Sequence, residues 1–440
     1  EISDRINQIR EMCAYLATVR DSKGSMVGFN NYGFDYPVLH FILTNRNWVT
    51  VTDIYDKSQA IINAPDNEKF SHLIWDNDQF IPQVDLFKIH HFDNPARRTG
   101  LKQLEFAMLM DSIDDLPFHH TTILNDEQKD QLLDYNDHDV TATDLFYNYS
   151  KEELDMRAEL TQKFGTNFMN MSGVKLGTVI LTKAIEQKNP DACYEYVNGR
   201  RRPRQTWRTN IPLNQIIFPY IAFSNPEFKR VHDWLLQQTL TETKGAFDKL
   251  SATINNFTFW FGTGGLHGSV ESCRVESSKD DVIIDLDVTS FYPSISIVNN
   301  VYPEHIGQIF CDAYRELKAE RLKHKKGSAI NTAYKLALNG TFGNTNNDFS
   351  CFLDSWFTMK ITVNGQLLLC MLAEQLMNIP TLQMIQANTD GITVKLSRAQ
   401  LDNLKVITDW WQKFTCLDLE QVEYKRMWIR DVNNYIAEKT

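Results

Sequence analysis

A chain of 440 residues, 42% of them apolar and 12% aromatic, is too long for one ordinary domain and too rich in core-forming side chains to be a disordered protein. No stretch approaches the roughly 18 uncharged apolar residues of a membrane span, the opening Glu1-Ile-Ser-Asp lacks a signal-peptide pattern, and the seven scattered cysteines form no Cys-x-x-Cys pair, so a reducing cytoplasm is expected rather than a disulfide frame, a zinc site or a membrane partner. A net charge of −11 runs against non-specific nucleic-acid binding, yet acidic outer faces can outvote a local basic cleft around an acidic centre.

From the N-terminus, Ile6, Ile9, Met12 and Leu16 fall at helical spacing and lead into a strand over 25–30. The run Gly28-Phe-Asn30-Asn-Tyr-Gly-Phe34-Asp35 then places a carboxylate beyond that strand. Val84-Asp85-Leu86-Phe87 reads as a further strand and Thr99-Gly-Leu-Lys-Gln-Leu104 as a capped helix, both structural. In the helical stretch from Leu133 to Thr143, the four-residue step puts Tyr135 and Asp139 on one face. A hydroxyl able to position a water thus stands beside a carboxylate able to bind a metal.

Between about residues 150 and 280 the signals are sparser. Asn198-Gly-Arg-Arg-Arg-Pro-Arg204-Gln-Thr-Trp207 reads as a basic loop with an aromatic beside it. Most such runs are solvated, but this one is also suited to tracking a phosphate backbone while the ring stacks on a base. The glycine-rich run Phe259-Trp-Phe-Gly262-Thr-Gly264-Gly265-Leu-His267-Gly268 is a tight turn whose backbone N–H groups can approach phosphates closely.

Val282-Ile-Ile-Asp-Leu-Asp287-Val-Thr-Ser-Phe-Tyr292-Pro-Ser-Ile295 is a buried strand that breaks at Pro293, which cannot continue a ladder. Asp287 therefore sits near the strand end, where rigid backbone suits hard oxygen ligands for Mg²⁺. A lysine-rich amphipathic helix from Cys311 to Lys326, a break at Gly327 and a second helix from Asn331 to Phe342 follow. On these, Arg321 and Lys325 share a face, as do Lys335 and Asn339. Ala387-Asn388-Thr389-Asp390-Gly391-Ile392 lies between two β-rich runs and reads as a hairpin tip, with Gly391 supplying the positive φ.

The stretches around Asp287, Lys335 to Gly343 and Asp390, in that order, resemble motifs A, B and C of the family B DNA polymerases, written Asp-x-x-Ser-Leu-Tyr-Pro-Ser, Lys-x-x-x-Asn-Ser-x-Tyr-Gly and Asp-Thr-Asp-Ser. Upstream, Asn30 to Asp35 resembles the Exo II motif, Asn-x-x-x-Phe-Asp, and Tyr135 to Asp139 the Exo III motif, Tyr-x-x-x-Asp, of proofreading 3′-5′ exonucleases. The resemblance implies a multidomain α/β protein: an RNase H-like exonuclease domain over 1–150, a linker region and the first part of a palm over 151–310, a helical fingers hairpin over 311–345 and the rest of the palm over 346–440. The activity implied is template-directed DNA synthesis, with primer–template DNA, dNTPs and replication accessory proteins as partners.

Carried over residue by residue, Asp287, the Val288 carbonyl and Asp390 would hold two Mg²⁺ ions, with Mn²⁺ an alternative. Arg321, Lys325 and Lys335 would clamp the triphosphate, Tyr292 would exclude a 2′-OH, and Asn339 would support the same nucleotide. Asp35 and Asp139, with Tyr135, would serve the exonuclease metal. Gly264 and Gly265 would touch the template, and Tyr435, with Arg430 in place of the motif's lysine, the primer strand.

Several departures accompany the resemblance. Asn388 replaces the first aspartate of motif C, and Gly340 and Phe342 replace Ser and Tyr of motif B. No Asp-x-Glu precedes Gly28 to serve as Exo I, and no thumb follows Tyr435. The expectation is a phage-like enzyme trimmed at both ends, or one whose first domain is no longer a nuclease. It would work in a bacterial host's cytoplasm. The competing reading is a non-catalytic primer–template scaffold, against which the paired carboxylates and the clamp cations stand.

Overall fold

The computed structural model describes residues 1–119, 121–340 and 342–440, so Thr341, inside the run resembling motif B, lies outside the described residues. The chain divides into two compact units, one of 1–176 with 326–333, the other of 177–325 with 334–440.

The first unit is mainly helical: α1 (Ile9–Asp21), α2 (Asp35–Asn45), α3 (Val51–Ile62), α4 (Leu86–Ile89), α5 (Leu101–Ala107), α6 (Asp126–Tyr149) and α7 (Lys151–Phe164) surround a parallel pair, β1 (Met26–Gly28) and β2 (Gln83–Asp85). Its core gathers Val84, Leu86, Ile89, Leu104, Phe146 and Leu154. Asp85 is fully buried and earns its place as a structural acceptor, taking the amides of Asn30 (2.9 Å), Tyr32 (3.1 Å) and Phe87 (3.0 Å). That pins the loop leading to Asp35, because a buried carboxylate must be fully hydrogen-bonded to be tolerated.

The second unit opens with the C-terminal part of α8 (Gly173–Glu186) and a small antiparallel hairpin, β3 (Tyr194–Val197) with β4 (Arg200–Pro203). This corrects the basic-loop expectation. Asn198 and Gly199 both adopt left-handed φ, 52° and 74°, as the two central positions of a type I′ turn require. A short pair, β5 (Ile211–Pro212) and β6 (Thr239–Leu240), flanks α9 (Leu213–Ile216) and α10 (Pro226–Leu236).

The rest is built on a nine-stranded antiparallel sheet. It contains β7 (Ser251–Ile254), β8 (Phe257–Phe261), β9 (Leu266–Ser269), β10 (Cys273–Glu276), β11 (Asp281–Val288), β12 (Gln383–Asn388), β13 (Gly391–Ser397), β14 (Leu419–Asp431) and β15 (Asn434–Lys439). Their order is β10-β14-β11-β13-β12-β9-β8-β7, with β15 on β14. In β11, Val282, Ile284, Leu286 and Val288 are buried, whereas Asp285 and Asp287 on the alternate face keep access to solvent. A helical layer of α11 (Phe291–Asn299), α14 (Ser355–Leu376) and α15 (Leu401–Thr415) belongs to this sheet; α14 is buried at 18 of its 22 positions.

The sheet cannot be flat. From β9 to β10 there are five strand steps, about 24 Å if laid out in a plane, yet Ser269 and Cys273 are joined by three residues that reach at most about 14 Å. Val270 accordingly donates to the Ile385 carbonyl of β12 (3.0 Å) and Ser272 to the Arg430 carbonyl of β14 (3.2 Å). The sheet curls so that β12 and β14 meet the same short segment, enclosing Ile283, Ile385, Met427 and Ile429. Register shifts at Met384/Gln386, Tyr424/Arg426 and Ile429/Asp431 mark where it bends.

The two remaining helices are α12 (Ile309–Leu322) and α13 (Ala329–Gly340). The first is shorter than expected. It ends with Lys323 as its C-cap, and the chain turns through Gly327 at φ 85°, so Lys325 lies beyond the helix and does not share a helical face with Arg321. Successive cations at 323, 325 and 326 repel one another, and nothing in that run favours another helical turn.

Candidate active site

Motif A arrives on the central strand β11 and turns sharply into α11. Ser290, between them, holds a left-handed φ of 48° without being glycine, the kind of strained hinge that concentrates at functional sites. Pro293 falls in the first turn of α11, where its missing N–H costs no intrahelical bond. Asp287 pairs across the ladder with Gly391, and the Val288 amide donates to the Asp390 carbonyl at 2.8 Å. Two residues a hundred positions apart are thereby neighbours on one rigid frame.

The tip between β12 and β13 differs from expectation in one respect. The left-handed residue is Thr389, at φ 30°, and Gly391 does not adopt a positive φ. Glycine is needed at 391 for proximity: a Cβ there would lie 3.0 Å from the Leu286 carbonyl and 3.2 Å from Asp287 Oδ1.

Burial and then the like charges of Asp390, Asp285 and Glu420 push the Asp287 carboxyl up to about 7, with Lys335 opposing. Asp390 is also held above the usual carboxylate range, by desolvation and then Asp285, against its own backbone and Lys335. Asp285 itself accepts from Thr393 Oγ1 (2.6 Å) and the Tyr424 hydroxyl (3.1 Å). A carboxylate pair with this much unrelieved repulsion gains from a cation. Among the described residues no group of three or more His, Cys, Asp and Glu side chains is arranged to hold one unaided. Two carboxylates nevertheless fit Mg²⁺, which completes its shell with carbonyls, waters and substrate phosphates.

Around the pair, Tyr292 donates its hydroxyl to the Gly264 carbonyl at 2.5 Å and packs on Phe342 with centroids 4.6 Å apart. The glycine-rich run that precedes it is thus tied to both motifs. Thr389 donates to the Leu266 carbonyl at 2.9 Å, and a Cβ on Gly265 would meet Thr389 Cγ2 at 3.0 Å and the Tyr292 hydroxyl at 3.1 Å. Tyr435, on β15, has its hydroxyl pKa raised by burial and then by Asp285, Asp287 and Asp390, which places it in the field of the acids. Arg430 instead sits at a bulge of β14 and pairs with Asp431 at 2.9 Å.

The cations come from α12 and α13. Lys335 and Asn339 are exposed on one face of α13, and Lys335 is the cation that opposes the proton affinity of both acids. Arg321 donates to Ser290 Oγ at 3.1 Å, reaching the hinge of motif A. Lys318, which sequence reasoning missed, donates to Ser294 Oγ at 3.1 Å from the same side of α12. Its signal was there, three residues before Arg321 on one helical face.

The placement of α13 depends on Gly177. A Cβ at that position of α8 would lie 2.4 Å from the Leu336 carbonyl, one residue from Lys335. Gly177→Ala is expected to destabilise by about 1–3 kcal/mol through overpacking. Thermal melts check it: an unchanged stability in the variant would dissociate Gly177 from the placement of α13.

In the first unit, Asp35 begins α2, and Tyr135 and Asp139 share a face of α6. Asp35 and Asp139 line one cleft of about 700 Å³ with Gly28, Asn31, Leu101 and Tyr147. Burial raises the Asp35 carboxyl, with Asp85 and Asp139 adding to it. Tyr135 has a hydroxyl pKa pushed up to about 12, by burial and then by Asp139, with which it is hydrogen-bonded. The two carboxylates and the hydroxyl therefore converge.

No protein-family model matches the sequence, and none of the curated proteins matches it either. Among solved structures, the family B DNA polymerase from the hyperthermophilic archaeon Pyrobaculum calidifontis is similar, with a TM-score of 0.51 at 13% identity over 99% of this chain and 53% of that one. At that identity the likeness is one of fold: a mixed α/β chain with a large antiparallel sheet, built like a family B polymerase and spanning about half the length of that relative.

Proposed function

We propose that the chain carries out template-directed DNA synthesis, transferring a nucleotide from a dNTP to a primer 3′-OH. The observation that supports this most is the meeting of Asp287 and Asp390 across adjacent strands with Lys335 opposing their charge. A pure binding scaffold has no use for two carboxylates whose repulsion is only partly offset by one lysine.

On this reading Asp287, Asp390 and the Val288 carbonyl hold two Mg²⁺ ions, or Mn²⁺. Bound ions supply a more acidic 3′-hydroxyl and neutralise the leaving pyrophosphate. The protein's own part is positioning and charge. Lys335, Arg321 and Lys318 receive the triphosphate, Asn339 supports the incoming nucleotide, and Tyr292, held by Gly264 and Phe342, walls the sugar. Tyr435 faces the primer terminus. Lys325, beyond the end of α12, would contribute from the turn rather than from the helix.

In the first unit, Asp35, Tyr135 and Asp139 form part of a 3′-5′ exonuclease centre. Without an Asp-x-Glu pair beside them they supply fewer carboxylates than a two-metal hydrolysis uses, so proofreading is not expected from the described residues.

A labelled primer annealed to a longer template, incubated with Mg²⁺ with and without the four dNTPs, tests the reading. Extension with dNTPs and no shortening without them is the expected result. Binding without extension would favour the scaffold, and shortening would restore the nuclease. Lys335→Ala is expected to lower kcat/KM for dNTP by roughly 10- to 100-fold, the worth of a hydrogen bond to a charged group. The loss should appear mainly in KM for nucleotide, read from steady-state extension; an unchanged KM would remove Lys335 from the clamp.

A further inference from the structure

The β3–β4 hairpin and the aromatic side chains beside it have no role in the site described above. The whole chain is net acidic, yet Arg200, Arg201, Arg202 and Arg204 fall within five residues. Arg201 is taken up internally, stacked 3.7 Å over the Tyr194 ring and paired with Glu186 at 2.9 Å, and Arg204 lies 3.9 Å from Glu195. The antiparallel register, Glu195 opposite Arg202 and Val197 opposite Arg200, puts Arg200 and Arg202 on one face. Both are exposed, with no carboxylate partner among the described residues.

The base of the hairpin is fixed to the segment that follows α13. Gln205 Nε2 donates to the Asp348 carbonyl at 2.6 Å and to the Ser350 carbonyl at 2.9 Å, and the Thr206 amide to the Leu353 carbonyl at 3.0 Å. Those bonds straddle Phe349, which is 92% exposed, and tie its segment to the one that carries Trp207, 66% exposed; Tyr196, on the hairpin face opposite Arg200 and Arg202, is 77% exposed. Two large rings, Trp207 and Phe349, left in water at the base of a hairpin that carries two exposed guanidinium groups without a carboxylate partner among the described residues mark a surface that meets something. The location is informative as well. Phe349 is seven residues from Phe342, the ring packed on Tyr292, so it stands at most about 25 Å along the chain from the nucleotide wall.

We infer that this surface holds single-stranded nucleic acid, namely the unpaired 5′ template ahead of the primer terminus. Arginine without rings would suit any duplex backbone; rings can stack only on bases that are not already stacked in a helix. The inference rests on the polymerase reading for the identity of the strand, but not for its chemistry.

Fluorescence anisotropy with primer–template duplexes carrying 5′ template overhangs of none, about 4 and about 12 nucleotides tests it, since one such platform covers about 4–16 nucleotides. For the unmodified chain, affinity should rise with overhang and then level off. In Arg200→Ala/Arg202→Ala the salt dependence of binding to the longest overhang should fall by about 1.4 in log–log slope, about 0.7 for each lost phosphate contact on a single strand. Trp207→Ala and Phe349→Ala should each reduce the gain from the overhang by roughly 5- to 100-fold while leaving blunt-duplex affinity unchanged. An Arg200→Gln/Arg202→Gln pair, with thermal melts, guards against a variant that fails to fold.

Persistence of the overhang gain in all variants overturns the inference, as does its absence from the unmodified chain; either would leave the surface to a protein partner. Blunt and overhang affinities falling together would overturn it too. Overhang-dependent binding without any extension would instead leave the inference standing and sink the polymerase reading.

Discussion

Asp390→Ala is expected to cut primer extension by at least about 10³-fold, the scale of losing a group aimed at developing charge in a closed site, while Asn388→Asp should leave it within roughly tenfold. The difference follows from position. Asp390 stands at the tip where its carbonyl binds Val288 and its carboxylate faces Lys335, whereas Asn388 is the last residue of β12, engaged with Thr389 at 3.4 Å and laddered to His267 and Gly391. An aspartate at 388 would add a further negative charge near an already crowded pair and should lower the concentration of Mg²⁺ needed for half-maximal rate. Rapid-quench extension with saturating dNTP reads both variants; an Asp390→Ala chain that extends at a comparable rate removes motif C from the chemistry.

Asp287→Asn should show an equally large loss of extension together with a gain in stability. The Asp287 carboxyl titrates at about 7 in the folded chain because burial and then Asp390 disfavour its charge, against about 4 when unfolded. Between those values the folded state binds more protons than the unfolded one, so stability falls as pH rises from about 4 to 7 and stays lower above that. Asparagine removes the penalty. In EDTA, the variant's advantage should be absent near pH 4, grow through neutrality and level off by pH 8 at about 1–2 kcal/mol, after allowing for the solvent that reaches this half-exposed group. Melting curves at pH 5 and 8 decide it: an advantage larger at pH 5 would reverse the assigned direction of the shift.

The parts of the site that the sequence made legible are those in which one local rule decides the geometry. A β-branched run gave β11 and Asp287 near its end, although the strand stops at Val288 before the Ser290 hinge and Pro293 lies within α11 rather than ending the strand; a four-residue step gave the shared faces of Tyr135 with Asp139 and of Lys335 with Asn339. Lys325 defeated the same rule, because spacing says nothing about where a helix stops and α12 stops at Leu322. At the tip of β12 and β13 the local rule gave the wrong reason for Gly391: its lack of a side chain matters to Asp287 on another strand, which a turn pattern does not reveal. The Asn-Gly signal for the β3–β4 turn was present in the sequence, but the arginine run around it drew the reading toward a loop. Gly177 was hidden for the remaining reason, that its partner, Leu336, is fixed only by tertiary packing.

The strand order has a consequence for how the protein is made. β14 lies between β10 and β11, yet it begins about 130 residues after β11 ends. At about 5–20 residues per second, a ribosome needs on the order of ten seconds to supply that missing neighbour. Throughout the interval Val282-Ile283-Ile284 offers an unpaired hydrogen-bonding row, and the pocket of Met427 and Ile429 does not exist to cover Ile283. Completion of the sheet around β11 is therefore timed by translation of β14, and the nascent chain's exposure to chaperones and to β-sheet aggregation is concentrated between the emergence of residue 288 and that of residue 419.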